Sequence, residues 1–170
     1  MPVYDESDIN FPMELTKNYV VSFVGNIYGD RKDYISHMKK RLGHLKYFYG
    51  NSYQKDQNKI YNESKIVLNF PNVRELNFRV FEALGSGSFL LNGQSYETME
   101  LFEDNKDIVF FDDMNDLTEK IEFYLESENE RKRISSSGHR KVYEYHTLDR
   151  RVKSILQTLG LLWNSDQLKI

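Results

Sequence analysis

Short runs of apolar residues alternate with amphipathic segments along most of the chain. The run Tyr19–Val24 is apolar and β-branched and ends at Gly25, a pattern typical of a strand that is buried on both faces. Four later runs have the same character, at residues 45–50, 65–70, 88–91 and 107–111. The pattern therefore predicts five short strands.

Between these runs, apolar residues recur three or four positions apart, which indicates helices. The first predicted helix contains Tyr34, Ile35, Met38 and Leu42, with Asp30 as its N-terminal cap and Gly43 as its stop signal. Asp113 is predicted to cap a later, strongly amphipathic helix. The other helices are expected near residues 56–63, 77–84, 98–102, 128–145 and 148–161.

Strands that alternate with helices imply right-handed crossovers and a parallel sheet. We therefore expect an α/β fold, a Rossmann-like three-layer sandwich with a parallel sheet of about five strands and C-terminal helices packed on it. Residues 1–18 show no periodicity and are interpreted as a linker or arm, which leaves residues 19–170 as the domain. Ligands of such sheets bind beyond the carboxyl ends of the strands.

Composition narrows the classes of function. The 170 residues carry a net charge of −3, which argues against general nucleic-acid binding, and contain no cysteine, which excludes disulfides and thiolate metal sites. No apolar run approaches the roughly 18 residues of a membrane helix, and residues 1–6 do not resemble a signal peptide. We expect a cytoplasmic protein. Bases dominate from Arg131 to Lys153, either as solvated helices or as a surface for RNA or peripheral membrane contact.

The loop after the first strand reads Gly25-Asn26-Ile27-Tyr28-Gly29-Asp30-Arg31. Glycine directly after a buried strand allows the backbone to approach a ligand closely, and the following helix presents its positive end. The glycine spacing is not that of the dinucleotide-binding fingerprint. Two interpretations stay open, a phosphate-binding loop that includes Arg31 and a tight turn with a surface arginine.

The helix that begins at Asn77 carries a second unusual feature. Arg79 lies in its first turn, where a cation opposes the helix dipole, so a bound anion would remove the conflict. Glu82 lies three residues further on, on the same face. The pair is either an intrahelical salt bridge or part of a ligand site, in which a carboxylate can accept hydrogen bonds from the two hydroxyls of a ribose.

The pattern Asn77-x-Arg79-x-Phe81-Glu82-Ala83-x-Gly85-x-Gly87, followed by Phe89-Leu90-Leu91, resembles the donor-binding half of group 1 glycosyltransferases, which have two Rossmann-like domains. Within that group it is most similar to the spore-maturation CgeB-like branch. Weaker pieces occur in the same order, among them Phe23-Val24-Gly25-Asn26 and the segment from Tyr61 to Asn69. The resemblance covers roughly residues 20–156.

This resemblance implies a nucleotide-sugar-binding domain of a glycosyltransferase. Gly25, Asn26, Arg31, Asn77 and Arg79 would face the donor diphosphate, and Glu82 would hold the ribose. Many relatives have an acid eight residues before that glutamate, where this chain has Arg74, so any role of that acid is in doubt.

The resemblance also implies that an N-terminal, acceptor-binding domain is missing, so the isolated domain is expected to be inactive and its catalytic residues are unknown. No metal or other cofactor is expected, because Asp112-Asp113 is the nearest acid pair and is interpreted as a helix cap. The alternative is a stand-alone Rossmann-like binding or interaction module without catalysis.

Overall fold

The computed structural model describes residues 9–71 and 76–161. Strands and helices alternate through most of this region. The strands are β1 (Tyr19–Val24), β2 (Tyr47–Gly50), β3 (Ser64–Asn69), β4 (Leu90–Gly93) and β5 (Val109–Phe111). The helices are α1 (Arg31–Leu42), α2 (Gln54–Asn62), α3 (Phe78–Gly85), α4 (Tyr96–Leu101), α5 (Met114–Glu126), α6 (Glu128–Tyr145) and α7 (Leu148–Thr158).

The five strands form one parallel sheet in the order β2-β1-β3-β4-β5. This confirms the predicted Rossmann-like α/β fold. The chain reverses its direction of travel across the sheet between β2 and β3, so the loops after β1 and β3 diverge there. A crevice at such a point is where ligands of open parallel sheets bind.

Alternating side chains of the strands supply two cores, one on each face of the sheet. Ile66 and Leu68 pack with buried residues of α1 and α5, whereas Val67, between them, packs with buried residues of α3. All three side chains are fully buried. A strand whose successive side chains are both buried reads as a continuous apolar run, which is why β3 was visible in the sequence.

Several boundaries differ from the prediction. The fourth strand was expected at residues 88–91 but spans Leu90–Gly93, because Ser88 still belongs to the turn after α3 and donates its backbone N–H to Ala83. Asp30 occupies the predicted N-cap position of α1, but it has helical backbone angles and its side chain makes no capping hydrogen bond. Asp113, by contrast, accepts hydrogen bonds from the backbone of Asn115 and Asp116, as predicted.

The described part of the predicted arm, residues 9–18, contacts α2. The Asn58 side chain accepts from the backbone N–H of Phe11, and the Asn62 side chain accepts from that of Met13, at 3.3 and 2.6 Å. Lys17 donates to the carbonyl oxygen of Asn62, the last residue of α2. Amide side chains of α2 thus satisfy the backbone of this irregular segment, as buried backbone groups require.

The two C-terminal helices differ in their packing. Helix α6 packs against α3 and α5, and buries Ile134 and Val142. Helix α7 buries none of its residues, and Leu148, Val152, Ile155 and Leu159 are exposed along it. In the described ranges, no helix combines the length and apolar character needed to cross a bilayer.

Candidate functional site

A cleft of about 390 Å³ lies at the carboxyl ends of β1 and β2, beside the start of α3. It brings together all six side chains or backbone positions that the sequence predicted for donor binding. These are Gly25, Asn26, Arg31, Asn77, Arg79 and Glu82. Residues from two separate segments of the chain, 25–31 and 77–82, therefore meet at one edge of the sheet. Their roles in binding stay predictions.

Two guanidinium groups lie over the same aromatic ring in this cleft. The Cζ atoms of Arg79 and Arg31 lie 5.0 and 5.7 Å from the centroid of the buried Phe23 ring. Arg31 also donates to the carbonyl oxygens of Asn26 and Phe70, at 3.1 and 2.9 Å. The ring face attracts both cations, and the carbonyls fix the direction of one of them. The result is a preorganised concentration of positive charge.

A small cluster of asparagine side chains positions the guanidinium of Arg79 by hydrogen bonding. Arg79 donates to Asn69 Oδ1 at 2.7 Å, and Asn69 also exchanges hydrogen bonds with Asn77 and donates to Asn92. Asn69 and Asn92 are fully buried and lie opposite each other at the ends of β3 and β4. Because the Asn77 side chain is used in this cluster, it does not cap α3, although Asn77 occupies the N-cap position.

Gly25 is required by the approach of Arg79. Its φ angle is +150°, and a Cβ at this position would lie 2.6 Å from Arg79 Nη2 and 3.1 Å from Phe23 Cζ. Any side chain would therefore push the guanidinium out of its place. The sequence suggested that Gly25 lets a ligand approach the backbone closely. In the structure, the group that approaches Gly25 closely is the guanidinium of Arg79.

Glu82 lies one turn after Arg79 on α3 and lines the same cleft, where Gln57 of α2 contacts it. Gln57 Nε2 donates to Glu82 Oε2 at 2.6 Å and to the Tyr61 hydroxyl oxygen at 2.9 Å. Burial, and then the nearby Glu82 charge, raise the pKa of the Tyr61 phenol, so Tyr61 is neutral at physiological pH. Glu82 and Arg79 therefore have hydrogen-bond partners on different elements, Gln57 on α2 and Asn69 on β3.

Arg31, Arg79 and Glu82 are the charged residues among the described lining of the cleft. Polar neutral side chains complete it, including Asn51, Ser52 and Tyr53 from the loop after β2. An adjoining cavity of about 440 Å³ extends over the ends of β3 to β5 and shares Tyr28 and Arg31 with the first. The arrangement suits a ligand with two or more anionic oxygens next to a group that donates hydrogen bonds to a carboxylate.

The sequence prediction missed two polar contributors, Gln57 and Asn69. Asn69 had a usable signal, because a polar residue at the carboxyl end of an otherwise apolar strand lies where ligands bind. Gln57 had none, because only the packing of α2 on α3 brings it to Glu82. Arg74, which replaces the acid of many relatives, lies outside the described residues. Within the described ranges, no cluster of three or more His, Asp or Glu side chains has a geometry that could hold a metal ion.

Comparisons with solved structures support the fold. HepE of Anabaena, in complex with UDP, is 14% identical and aligns over 86% of this chain and 50% of its own, with a TM-score of 0.67. A TarM mutant of S. aureus, crystallised with fondaparinux, α-GlcNAc-glycerol and UDP, is 15% identical over 95% and 39% of the two chains, with a TM-score of 0.70. The chain thus spans about half the length of HepE and a smaller share of TarM.

A third structure aligns over nearly its full length. It is the C-terminal domain of LpcC, a group 1 family glycosyl transferase of Francisella tularensis, which is 14% identical over 85% of this chain and 99% of its own, with a TM-score of 0.66. Among curated proteins, none matches the sequence significantly. The family model described as "Glycosyl transferase-like" matches residues 13–157, which include every residue of the cleft. The chain therefore belongs to the glycosyl transferase-like family.

Proposed function

We propose that this chain is the donor-binding domain of a CgeB-like group 1 glycosyltransferase, which moves a glycosyl group from a nucleotide sugar to an acceptor. One observation carries the proposal. Arg31 and Arg79 lie over one ring in a cleft, and Glu82, one turn after Arg79 on α3, lines the same cleft. Two cations beside one carboxylate are complementary to a nucleoside diphosphate, which offers phosphate oxygens to the cations and ribose hydroxyls to the carboxylate.

The proposed chemistry follows from that charge pattern. Cleavage of the bond between the sugar and the diphosphate leaves negative charge on the departing oxygen, and preorganised cations stabilise this charge in the transition state. In this proposal the two guanidinium groups supply that stabilisation and no metal is invoked. Gly25, Asn26 and Asn77 also line the cleft, and in this proposal they face the diphosphate. HepE has been crystallised with UDP, with UDP and glucose, and with UDP-glucose, which supports such a ligand.

Catalysis requires more than this domain in the proposed scheme. Glu82 is the one carboxylate in the described lining of the cleft, and it is assigned to the ribose, so no general base for an acceptor is available there. We propose that an N-terminal domain supplies the acceptor site and the base, and that the enzyme works in the cytoplasm. The 170-residue chain alone should then transfer no sugar. Measurable transfer from a nucleotide sugar by this chain would contradict that part of the proposal.

A thermal-shift panel tests the donor site. UDP, GDP, ADP and CDP are added to the chain, and at least one should raise the melting temperature, because a ligand that binds only the folded state stabilises it by RT ln(1 + [L]/Kd). Glu82→Ala and Arg79→Ala should each abolish most of the shift. Glu119→Ala and Arg41→Ala change exposed residues of the same types on α5 and α1, and should retain it. No shift with any nucleotide would favour the stand-alone binding module instead.

A further inference from the structure

Gln57 is buried although it lines the cleft. It is 8% exposed, and it lies on α2 with its amide directed at α3. Nε2 carries two protons, and the structure gives it two acceptors, Glu82 Oε2 at 2.6 Å and the Tyr61 hydroxyl at 2.9 Å. A carboxylate only accepts hydrogen bonds, so the nitrogen rather than the oxygen of the amide must face Glu82. Both protons of Gln57 are therefore committed.

Tyr61 fixes the direction of this amide. Its side chain is fully buried and lies one turn further along α2, in the core between α2 and the sheet. A buried polar amide is costly unless it is hydrogen-bonded, so Gln57 has a strong preference for the conformation that reaches both partners. A neutral phenol oxygen is a suitable acceptor for the second proton.

The distance between α2 and α3 is fixed by a second set of contacts. The Ser86 hydroxyl oxygen lies 2.6 Å from the side-chain oxygen of Asn58, the residue after Gln57, and 2.7 Å from the backbone carbonyl oxygen of Glu82, so two acceptors share its single proton. The same Asn58 oxygen also accepts from the backbone N–H of Phe11. Helix α2 is thus hydrogen-bonded both to residues 11–13 and to the end of α3, which restrains the distance that Gln57 bridges.

We propose that Gln57 is a positioning residue that holds the Glu82 carboxylate in the orientation that binds the ribose hydroxyls. The inference rests on the proposed function, because it assumes that Glu82 contacts ribose. A glutamate side chain otherwise loses rotamer freedom when it binds. Gln57 is itself held by Tyr61 and by the hydrogen bonds that fix α2. It therefore restricts the rotamers of Glu82 before the ligand binds. Such support by neighbouring hydrogen bonds is what keeps a binding side chain in its productive geometry.

The test compares ligands with and without the hydroxyls. Gln57→Met keeps the length of the side chain and removes both donors, and Lys59→Met is the matched control at an exposed position of the same helix. Affinities for UDP and 2′,3′-dideoxy-UDP are measured by calorimetry. Gln57→Met should weaken UDP about tenfold, the effect of roughly one hydrogen bond to a charged group, and dideoxy-UDP by about twofold at most. Tyr61→Phe should act in the same direction with a smaller loss.

Two outcomes overturn the inference. If Gln57→Met weakens both ligands equally, Gln57 has only a structural role. If Gln57→Met binds UDP as Lys59→Met does, Glu82 needs no such support.

A ligand-free measurement separates this inference from the proposed function. The side-chain amide protons of Gln57 should be protected from exchange in the unliganded chain by NMR, and the protection should disappear in Glu82→Ala. Unprotected amide protons in the unchanged chain would overturn the inference. If they are protected and the unchanged chain binds no nucleotide of the panel, the proposed function fails while the Gln57–Glu82 contact stands.

Discussion

Basic side chains at the two ends of the sheet have opposite relations to the helices beside them. At the amino-terminal end, Arg131 donates to the carbonyls of Tyr124 and Leu125 in the last turn of α5, and Lys17 donates to the last carbonyl of α2. At the carboxyl end, Arg31 is the first residue of α1 and Arg79 the second of α3. The side chains of the first pair contact the negative ends of α5 and α2, although Arg131 is itself the fourth residue of α6, and the second pair lies at the positive ends of α1 and α3.

This difference distinguishes structural cations, which stabilise a helix end, from binding cations, which contribute to holding a ligand. A cation that donates to the final carbonyls of a helix satisfies groups that otherwise have no partner, and the dipole favours it. A cation in the first turn is disfavoured by the dipole, so its presence adds no stability through that interaction. An anion bound at the same place reverses the balance. We therefore expect stability and ligand affinity to respond in opposite ways to substitutions at the two ends.

The largest effect on stability should come from the amino-terminal end. Arg131→Met removes a buried guanidinium and leaves two carbonyls of α5 without their donor, so the free energy of unfolding should fall by about 2–3 kcal/mol. Urea denaturation measures this loss. The thermal shift produced by a nucleotide should be preserved, since Arg131 is remote from the cleft. Unchanged stability would show that the cation at this helix end contributes little.

The reverse result is expected at the carboxyl end. Arg79→Met should lower nucleotide affinity about 30-fold, or about 2 kcal/mol, because it removes a charged hydrogen-bond donor for the phosphates. The free energy of unfolding should change by less than about 1 kcal/mol, because the lost bond to Asn69 is offset by relief of the dipole conflict. Calorimetry and urea denaturation on the same sample measure both. A large loss of stability would place Arg79 with the structural cations.

Gly25→Ala tests the same arginine without changing it. The new Cβ would displace the Arg79 guanidinium, so nucleotide affinity should fall about tenfold, or about 1.4 kcal/mol. Gly29→Ala is the matched control. Gly29 also has a positive φ angle, +55°, but a Cβ there meets nothing within 4 Å. If both variants lose affinity equally, backbone strain rather than the position of Arg79 is responsible.

The smallest expected effect concerns His146 at the end of α6, where a cation would suit the dipole but burial opposes it. Burial, then Arg151 and Lys141, lower the pKa of His146 to about 4. Between pH 6.5 and 4 the unfolded chain holds a proton here that the folded chain lacks, so stability falls as the pH falls through this window.

We expect His146 to contribute about 1 kcal/mol of this loss, allowing for screening. His146→Phe should remove that part of the slope. Thermal or urea denaturation from pH 7 to pH 4.5 compares the two proteins, and the carboxylates, which titrate in both, cancel in the difference. Identical slopes would mean that folding does not lower the pKa of His146.

The sequence predicted most of the fold because its signals were local. Continuous apolar runs marked β1 and β3, and the period of Leu117, Ile121 and Tyr124 marked α5. The fourth strand was misplaced because Asn92 and Gly93 have low strand propensity, and their pairing with β3 and β5 overrides it. Local strand propensity fails to predict the bounds of a strand where pairing with the neighbouring strands determines them.

The candidate site, like the fold, was predicted only in part. Arg31, Arg79 and Glu82 were predicted to form one site through the resemblance to group 1 glycosyltransferases, and the parallel topology is consistent with this because it brings the carboxyl ends of strands together. Gln57 and the Phe23 ring beneath both arginines were not predicted in their roles. Both contacts depend on side-chain directions across elements that are distant in sequence, which no spacing along one strand or helix encodes.

The exposed face of α7 has a consequence for hydrogen exchange. An 11-residue helix that buries none of its residues gains little from packing, so its amides should exchange almost as fast as those of an unfolded peptide. Amides of α3, which buries five of its eight residues, should exchange only when the whole domain unfolds. Deuterium uptake of the peptide from Leu148 to Thr158 therefore reports sensitively whether another molecule covers this helix. Any molecule that covers Val152 and Ile155 will slow the exchange of this one peptide, whatever its chemistry.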